Sequence, residues 1–146
     1  LNSGTGFLNP VEETTLTIPS TATKVITVGA YDARFDQAAA FSGRGYTRAT
    51  NQVKPDLVAP GVEIMSCAPG GGYQVRTGTS MATPFVTGSA ALLMQWGIVN
   101  GNDAYLYGEK MKAYLIRGAR KLPGFTVYPN PVLGWGALCT ANSIPR

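Results

Sequence analysis

Hydrophobic and polar residues follow different patterns in the two halves of the chain. In the first half, KVITVGA (24–30) is almost continuously apolar, rich in β-branched residues and closed by glycine. This pattern predicts a strand buried on both faces of a parallel sheet. PDLVAPG (55–61) and EIMSCAPGGG (63–72) predict shorter strands interrupted by Pro and Gly. Residues 14–21 predict an edge strand or an extended segment, because Pro19 has no N–H for a ladder.

The second half has helical spacing. From Ala82 onward, apolar residues occupy every side of the predicted helix, which is typical of a core helix. After a turn at residues 99–103, a second helix is predicted to be amphipathic. The positive charge of Arg117 near its end suits the negative end of the helix dipole. Its apolar positions are Tyr107, Met111, Tyr114 and Leu115. A short strand is predicted at GALC (136–139).

Composition indicates one globular domain or part of one, over residues 1–146, with 45% hydrophobic and 14% charged residues. The net charge of +4 is scattered along the chain, so no nucleic-acid partner is expected. No apolar run of about 20 residues is recognised, so no membrane partner is expected. The N-terminal sequence LNSGTGFLNPVEE lacks the charged start and apolar centre of a secretion signal.

Metal and disulfide chemistry have weak support in the sequence. Cys67 and Cys139 lie 72 positions apart without metal-ligand spacing; buried thiols are favoured, and pairing stays open. Asp32 follows the first predicted strand, but calcium needs about six to eight oxygen ligands. No cofactor is therefore expected in this chain, and a weak structural calcium ion in the parent protein is a minor hypothesis. APGGGY (68–73) lacks the Lys and Ser/Thr of a phosphate loop and predicts a turn.

The stretch GTSMATPFVTG (78–88) carries the candidate chemistry. A serine at a helix start is most often a cap. Here, Gly78 permits a tight turn at the positive end of the helix dipole, where an oxyanion formed by attack of Ser80 would be stabilised. Pro84 removes the amide that would bond the carbonyl of Ser80, so regular helix is predicted to start at Thr83 or to kink beside the serine. The chain contains no histidine to accept the proton of Ser80.

These residues resemble the nucleophile motif G-T-S-M-A-x-P of the subtilisin-like serine proteases. Three further stretches are similar to segments of that family in the same order: TLTIPSTATKVITVGAYD, AFSGRG and KPDLVAPGVEIMS. The resemblance implies a subtilisin-like three-layer α/β fold with a mostly parallel sheet, of which residues 1–146 form the C-terminal portion. SCAPGGGY and WGIVNGNDAYLYGEK are similar to a bacterial branch that includes germination-related proteases, some of them inactive pseudoproteases.

The resemblance also assigns roles. It implies that Ser80 is the acylated nucleophile, that its own N–H is one oxyanion donor and that Thr79 supports the oxyanion hole. The triad order Asp, His, Ser places the other two members and the oxyanion asparagine upstream of Leu1, so the isolated chain is expected to be inactive. Peptide or protein substrates and an extracytoplasmic location are implied as well. The four aspartates are interpreted as turn or cap residues: Asp32, Asp36, Asp56 and Asp103.

Alternatives stay open at this point. The chain could belong to a non-catalytic module with the same fold and a vestigial serine. A serine–lysine dyad is disfavoured because S-x-x-K is absent at Ser80. The motif GTSMA favours the subtilisin-like proteases over a related family that uses serine with Glu and Asp. Phe85 stands where the family more often has histidine, and a packing role is expected for it. An incomplete domain should expose sheet surface, so self-association or pairing with the missing half is expected.

Overall fold

The apolar stretches of the first half form two small sheets, and those of the second half form helices. The structure is a computed structural model that describes Gly4 and residues 6–145. In chain order the elements are β1 (Val28–Asp32), β2 (Gln37–Ala38), β3 (Leu57–Pro60), β4 (Ile64–Cys67), β5 (Tyr73–Arg76), α1 (Thr79–Met94), a π-helical turn (Gln95–Val99), α2 (Gly108–Arg117) and α3 (Thr140–Ser143).

The main sheet has the strand order β2-β1-β3, with β1 parallel to β3 and antiparallel to β2. The predicted GALC strand contributes only bridges at Ala137, parallel to Val58 and antiparallel to Arg120. The Val58 N–H donates to Gly136 O at 2.9 Å, and the Leu138 N–H donates to Val58 O at 2.8 Å. The C-terminal segment therefore supplies the outer neighbour of β3.

Two predicted strands in the first half differ from the structure. The strand predicted at 24–30 begins at Val28 instead, because the Asp56 carboxylate takes the N–H of Thr27 and Lys112 binds the carbonyls of Thr23 and Val25. Residues 14–21 contain turns and no strand, and Ile18 is 90% exposed. The APGGGY turn is confirmed, since Ala68 and Gly72 are joined by a 3.0 Å backbone hydrogen bond that closes the β4–β5 hairpin.

Both faces of the main sheet are covered by apolar groups. Helix α1 packs against β1 and β3, and its core includes Leu57, Val86 and Leu93. A second cluster covers the opposite face with the C-terminal loops. Its buried members are Tyr31, Val58, Leu122, Leu133 and Ala137.

Helix α1 is buried along one stripe only, so the predicted all-round burial is wrong for this chain. The buried positions are Ala82, Val86, Ser89 and Leu93. Phe85 is 41% exposed and Leu92 is 50% exposed, because the chain places a sheet on one side of the helix only.

The stretch Thr79–Val99 also corrects the expectation that no segment has membrane-spanning character. Its 21 residues are long and apolar enough to cross a bilayer by length and composition. The core helix of a soluble protein passes the same test, so this finding is weak evidence for a membrane segment.

Candidate active site

Ser80 is the second residue of α1 and is exposed. The residue before the helix is Gly78, and no side chain caps the helix start, so the cap role that is most common for such a serine does not apply. Within the described residues, the Ser80 hydroxyl has no hydrogen-bond partner, and the N–H groups of Thr79 and Ser80 have no backbone acceptor. A hydroxyl and two amides are thus available together at the positive end of the helix.

The turn before Ser80 is attached to the carboxyl end of β3. The Gly78 N–H donates to the carbonyl of Gly61 at 2.8 Å. Gly61 permits this approach, because a Cβ there would lie 2.6 Å from the Cβ of Ala30 and 3.0 Å from Gly78 O. Ser80 therefore lies at the carboxyl edge of a parallel sheet, which is where open α/β folds place their sites.

Pro84 lies inside α1 without delaying its start. The helix begins at Thr79, four residues before the predicted start at Thr83. Pro84 has no N–H, so the carbonyl of Ser80 lacks the usual i+4 donor. The Thr83 hydroxyl donates to the carbonyl of Thr79 at 3.1 Å and stabilises this first turn.

Of the clefts that Ser80 lines, two lie between α1 and another segment. The larger, which we call the hairpin cleft, has a volume of about 530 Å³ and lies between the β4–β5 hairpin and α1. It is lined by residues that include Ile64, Met65, Arg76, Ser80, Met81 and Phe85. The smaller, which we call the loop cleft, has a volume of about 250 Å³ and lies between Thr79, Ser80, Thr83 and the segments around Pro19 and 25–28. An extended peptide whose carbonyl reaches Ser80 can run into both clefts.

Phe85 lines the hairpin cleft and is 41% exposed, so it lies outside the core of this chain, and the packing role expected for it stays a prediction. Cys67 lines the same cleft, and its exposure contradicts the expectation of two buried thiols. Cys139 is partly buried, and both cysteines are unpaired.

A buried charge cluster beside the loop cleft was not predicted. Asp56 is 4% exposed and accepts from Lys54 Nζ and Lys112 Nζ, each at 2.7 Å. The Thr27 N–H also donates to Asp56 at 2.7 Å, and both lysines donate to the carbonyl of Val25. Burial is the main cause that lowers the pKa of Lys54, and the nearby Lys112 ammonium lowers it further. The cluster holds the segment 23–27 before β1, of which residues 25–27 line the loop cleft.

The interpretation of Asp56 as a turn or cap residue is therefore wrong. The sequence K-P-D places Lys54 near Asp56. Lys112 lies far along the chain, and its contact with Asp56 depends on how α2 packs. No sequence pattern marks that contact.

The other three aspartates pair with cations near turns. The Arg34 side chain donates to Asp32 and is the main cause that lowers the pKa of that carboxyl. Asp36 pairs with Arg120 at 2.7 Å, and Asp103 pairs with Lys110 at 2.6 Å. Over Gly4 and residues 6–145, no group of three or more His, Cys, Asp or Glu residues is arranged to hold a metal ion.

Comparisons with known proteins agree with this geometry. The CspB protease of Clostridium perfringens, a solved structure, is 48% identical with a TM-score of 0.92; the match covers 98% of this chain and 30% of that chain. The serine protease AprX of Bacillus subtilis strain 168 is 35% identical over 151 residues, which cover 90% of this chain and 32% of AprX. The intracellular serine protease of Paenibacillus polymyxa is 46% identical over 77 residues, which cover 53% of this chain and 21% of that protein.

The chain thus spans about a third or less of the length of these relatives. Its residues 2–136 match the subtilase family of peptidases, S8. The α/β arrangement, with a helix packed on parallel strands and a serine at the carboxyl edge, is that of a subtilisin-like fold. The chain belongs to the subtilase family.

Proposed function

We propose that the protein containing this chain is a serine endopeptidase that hydrolyses peptide bonds through an acyl-enzyme on Ser80. The observation that carries the proposal is the exposed Ser80 hydroxyl beside the unbonded N–H groups of Thr79 and Ser80. These amides would stabilise the negative charge that develops on the attacked carbonyl oxygen. Membership of the family and the serine protease relatives support the same chemistry.

In the proposed reaction, the Ser80 oxygen bonds the peptide carbonyl carbon as a histidine base takes the hydroxyl proton. The carbon–nitrogen bond then breaks, and the imidazolium returns the proton to the leaving amine. In the second half of the reaction, water attacks the acyl-enzyme ester, the carboxylic acid product leaves and the Ser80 hydroxyl is regenerated. The chain has no histidine, so the base and its aspartate are proposed to lie upstream of Leu1, together with the oxyanion asparagine.

The proposal that residues 1–146 are the C-terminal portion of a larger peptidase domain has support from the exposed side of α1. Apolar side chains on this helix and the following π-helical turn face solvent, among them Leu92, Met94 and Ile98. We use the name open face of α1 for these three exposed positions, which lie outside the buried stripe of α1, with Ile98 on the following turn. The remainder of the domain is proposed to cover it.

Labelling with a fluorophosphonate probe tests the proposal. The full-length protein should be labelled at Ser80, whereas its Ser80→Ala variant and the isolated chain should not. Ser66→Ala is the matched control, because Ser66 lines the hairpin cleft beside Ser80 and should leave labelling unchanged.

The second candidate is a non-catalytic module that retains the fold and binds or regulates a partner. It is favoured by the likeness of SCAPGGGY and WGIVNGNDAYLYGEK to a branch that includes inactive pseudoproteases. Absence of label in the full-length protein would favour this module and overturn the endopeptidase proposal. The upstream gene gives a parallel test, because D-[ST]-G and H-G-[ST] motifs are expected there for an enzyme.

Cell location stays a prediction. Relatives are named both as intracellular and as extracellular proteases. We propose the extracytoplasmic location that the resemblance implies, and cell fractionation with an antibody to this chain would test it. The likeness to the germination-related branch and the weak calcium site also stay predictions.

A further inference from the structure

The hairpin cleft has a charge that the proposed chemistry does not use. Its wall next to Ser80 is apolar, formed in part by Ile64, Met81 and Phe85. Arg76, the last residue of β5, lies in the same cleft and is opposite Ile64 in the hairpin. An apolar cleft with an arginine at one wall favours a ligand group that combines a short aliphatic stem with a negative charge.

Arg76 is available to such a group. Its side chain is exposed, and no Asp or Glu within the described part of the chain lies within 4.0 Å of it, whereas Arg34, Arg44 and Arg120 each pair with a carboxylate. With its amide oxygen turned toward the guanidinium, Gln74 accepts from Nε and Nη2 of Arg76 at 3.0 Å. This contact steadies the guanidinium without neutralising it. Arginine can then present its planar fork to a carboxylate in two parallel hydrogen bonds.

We propose that Arg76 selects a Glu or Asp side chain of the bound peptide, close to the bond that Ser80 attacks and on the side that enters the hairpin cleft. This inference rests on the proposed function for its substrate, a peptide in extended conformation. The loop cleft takes the other side of the bond. Arg76 is a specificity residue here and takes no part in proton transfer.

Binding tests the inference without turnover. The full-length protein with Ser80→Ala would be titrated, by fluorescence anisotropy, with labelled peptides in which Glu, Gln or Lys occupies one of three positions on either side of a central bond. At one position, the Glu peptide should bind about tenfold more tightly than the Lys peptide. Arg76 attracts Glu and repels Lys, and each of these two exposed charge contacts changes the affinity by up to about fivefold. The preference should shrink at high salt, since the charges are screened.

Two variants of the same protein identify the residue. Arg76→Gln should remove the Glu preference, and Arg76→Glu should reverse it in favour of Lys. Arg117→Gln is the matched control, since Arg117 is exposed on α2 and lines neither cleft, and it should leave the preference unchanged.

A parallel measurement of cleavage by the protein with intact Ser80 separates the two proposals. Charge-selective binding that depends on Arg76 without any cleavage would support this inference and overturn the endopeptidase proposal. Cleavage at equal rates for Glu, Gln and Lys peptides, or no charge-dependent binding at any position, would overturn the role of Arg76 and leave the labelling test to decide the proposed function.

Discussion

At the scale of single residues, the most buried charges lie outside the proposed catalytic group. Asp56 pairs with two lysines, one of which is almost fully buried. Removing a buried charge leaves its partners unpaired, which costs more than replacing one of several cations by an apolar group.

We therefore expect Asp56→Asn to lower the free energy of unfolding by about 3–5 kcal/mol, because two ammonium groups lose their counter-charge. Lys54→Met should change it by only about 1 kcal/mol, because Lys112 still pairs with Asp56. Urea unfolding at pH 7 measures both variants, and Lys112→Met is the matched control for loss of the more accessible lysine. Equal losses for Asp56→Asn and Lys54→Met would contradict this account.

The pH dependence of Lys54 has a definite sign. Burial lowers its pKa in the folded state below the ordinary 10.5, so the unfolded chain holds its proton to higher pH. The wild-type chain should therefore gain stability relative to Lys54→Met as the pH rises from the lowered value toward 10.5. Unfolding measured at several pH values in this range checks the direction.

The sequence gives only part of the site at this scale. Ser80 is a candidate because glycine, serine and a helical pattern are adjacent in the chain, whereas the proposed role of Thr79 comes from the resemblance to the family. The Asp56 cluster and the position of Arg76 in a cleft depend on contacts between segments far apart in sequence. No local spacing predicts such contacts.

At the scale of elements, Pro84 leaves the carbonyl of Ser80 without its usual i+4 donor. We expect Pro84→Ala to stabilise the chain by roughly 1–2 kcal/mol, because an interior proline costs a helix about 3 kcal/mol and its rigidity in the unfolded chain offsets about 1. The new N–H can bond the carbonyl of Ser80, so fluorophosphonate labelling of the full-length protein should slow. Thermal unfolding and labelling rates check both effects.

Thr83→Ala serves as a comparison, because it removes a side-chain bond to the carbonyl of Thr79 without adding an amide. Faster labelling in Pro84→Ala, or lower stability, would show that the missing bond does not shape this turn.

Elements with a strong pattern were predicted, and those set by tertiary contact were not. Strands β3 and β4 and helix α2 match β-branched runs or a helical stripe. Strand β5, YQVR, alternates between apolar and polar residues, but it is only four residues long and largely exposed, so the pattern is weak and the hairpin turn brings the strand beside β4. The π-helical turn Gln95–Val99 has no sequence signal, but Gly97 allows it to pack against Leu106, where a Cβ would lie 3.0 Å from a leucine methyl.

At the scale of the whole molecule, the open face of α1 distinguishes the isolated chain from the larger protein. We expect the isolated chain to self-associate, because exposed large apolar side chains favour contact with another copy. Leu92→Glu combined with Ile98→Glu should shift it toward monomer in sedimentation velocity. The same pair should destabilise the full-length protein, where the face is proposed to be buried.

Val127→Glu is the matched control, since Val127 is 70% exposed outside α1 and should change neither property. A wild-type chain that stays monomeric at high concentration would contradict self-association. A full-length protein that tolerates both glutamates would contradict burial of the open face.

The pairing of Val58 with the C-terminal segment also affects how the chain folds during synthesis. Ala137 follows Val58 by 79 positions, yet its neighbours supply the hydrogen bonds on the outer side of β3. At roughly 5–20 residues per second, the ribosome needs several seconds to make that segment after β3 has been translated. During this interval the edge of β3 stays open to other nascent chains, so a chaperone that shields strand edges would be most valuable before residue 138 leaves the exit tunnel.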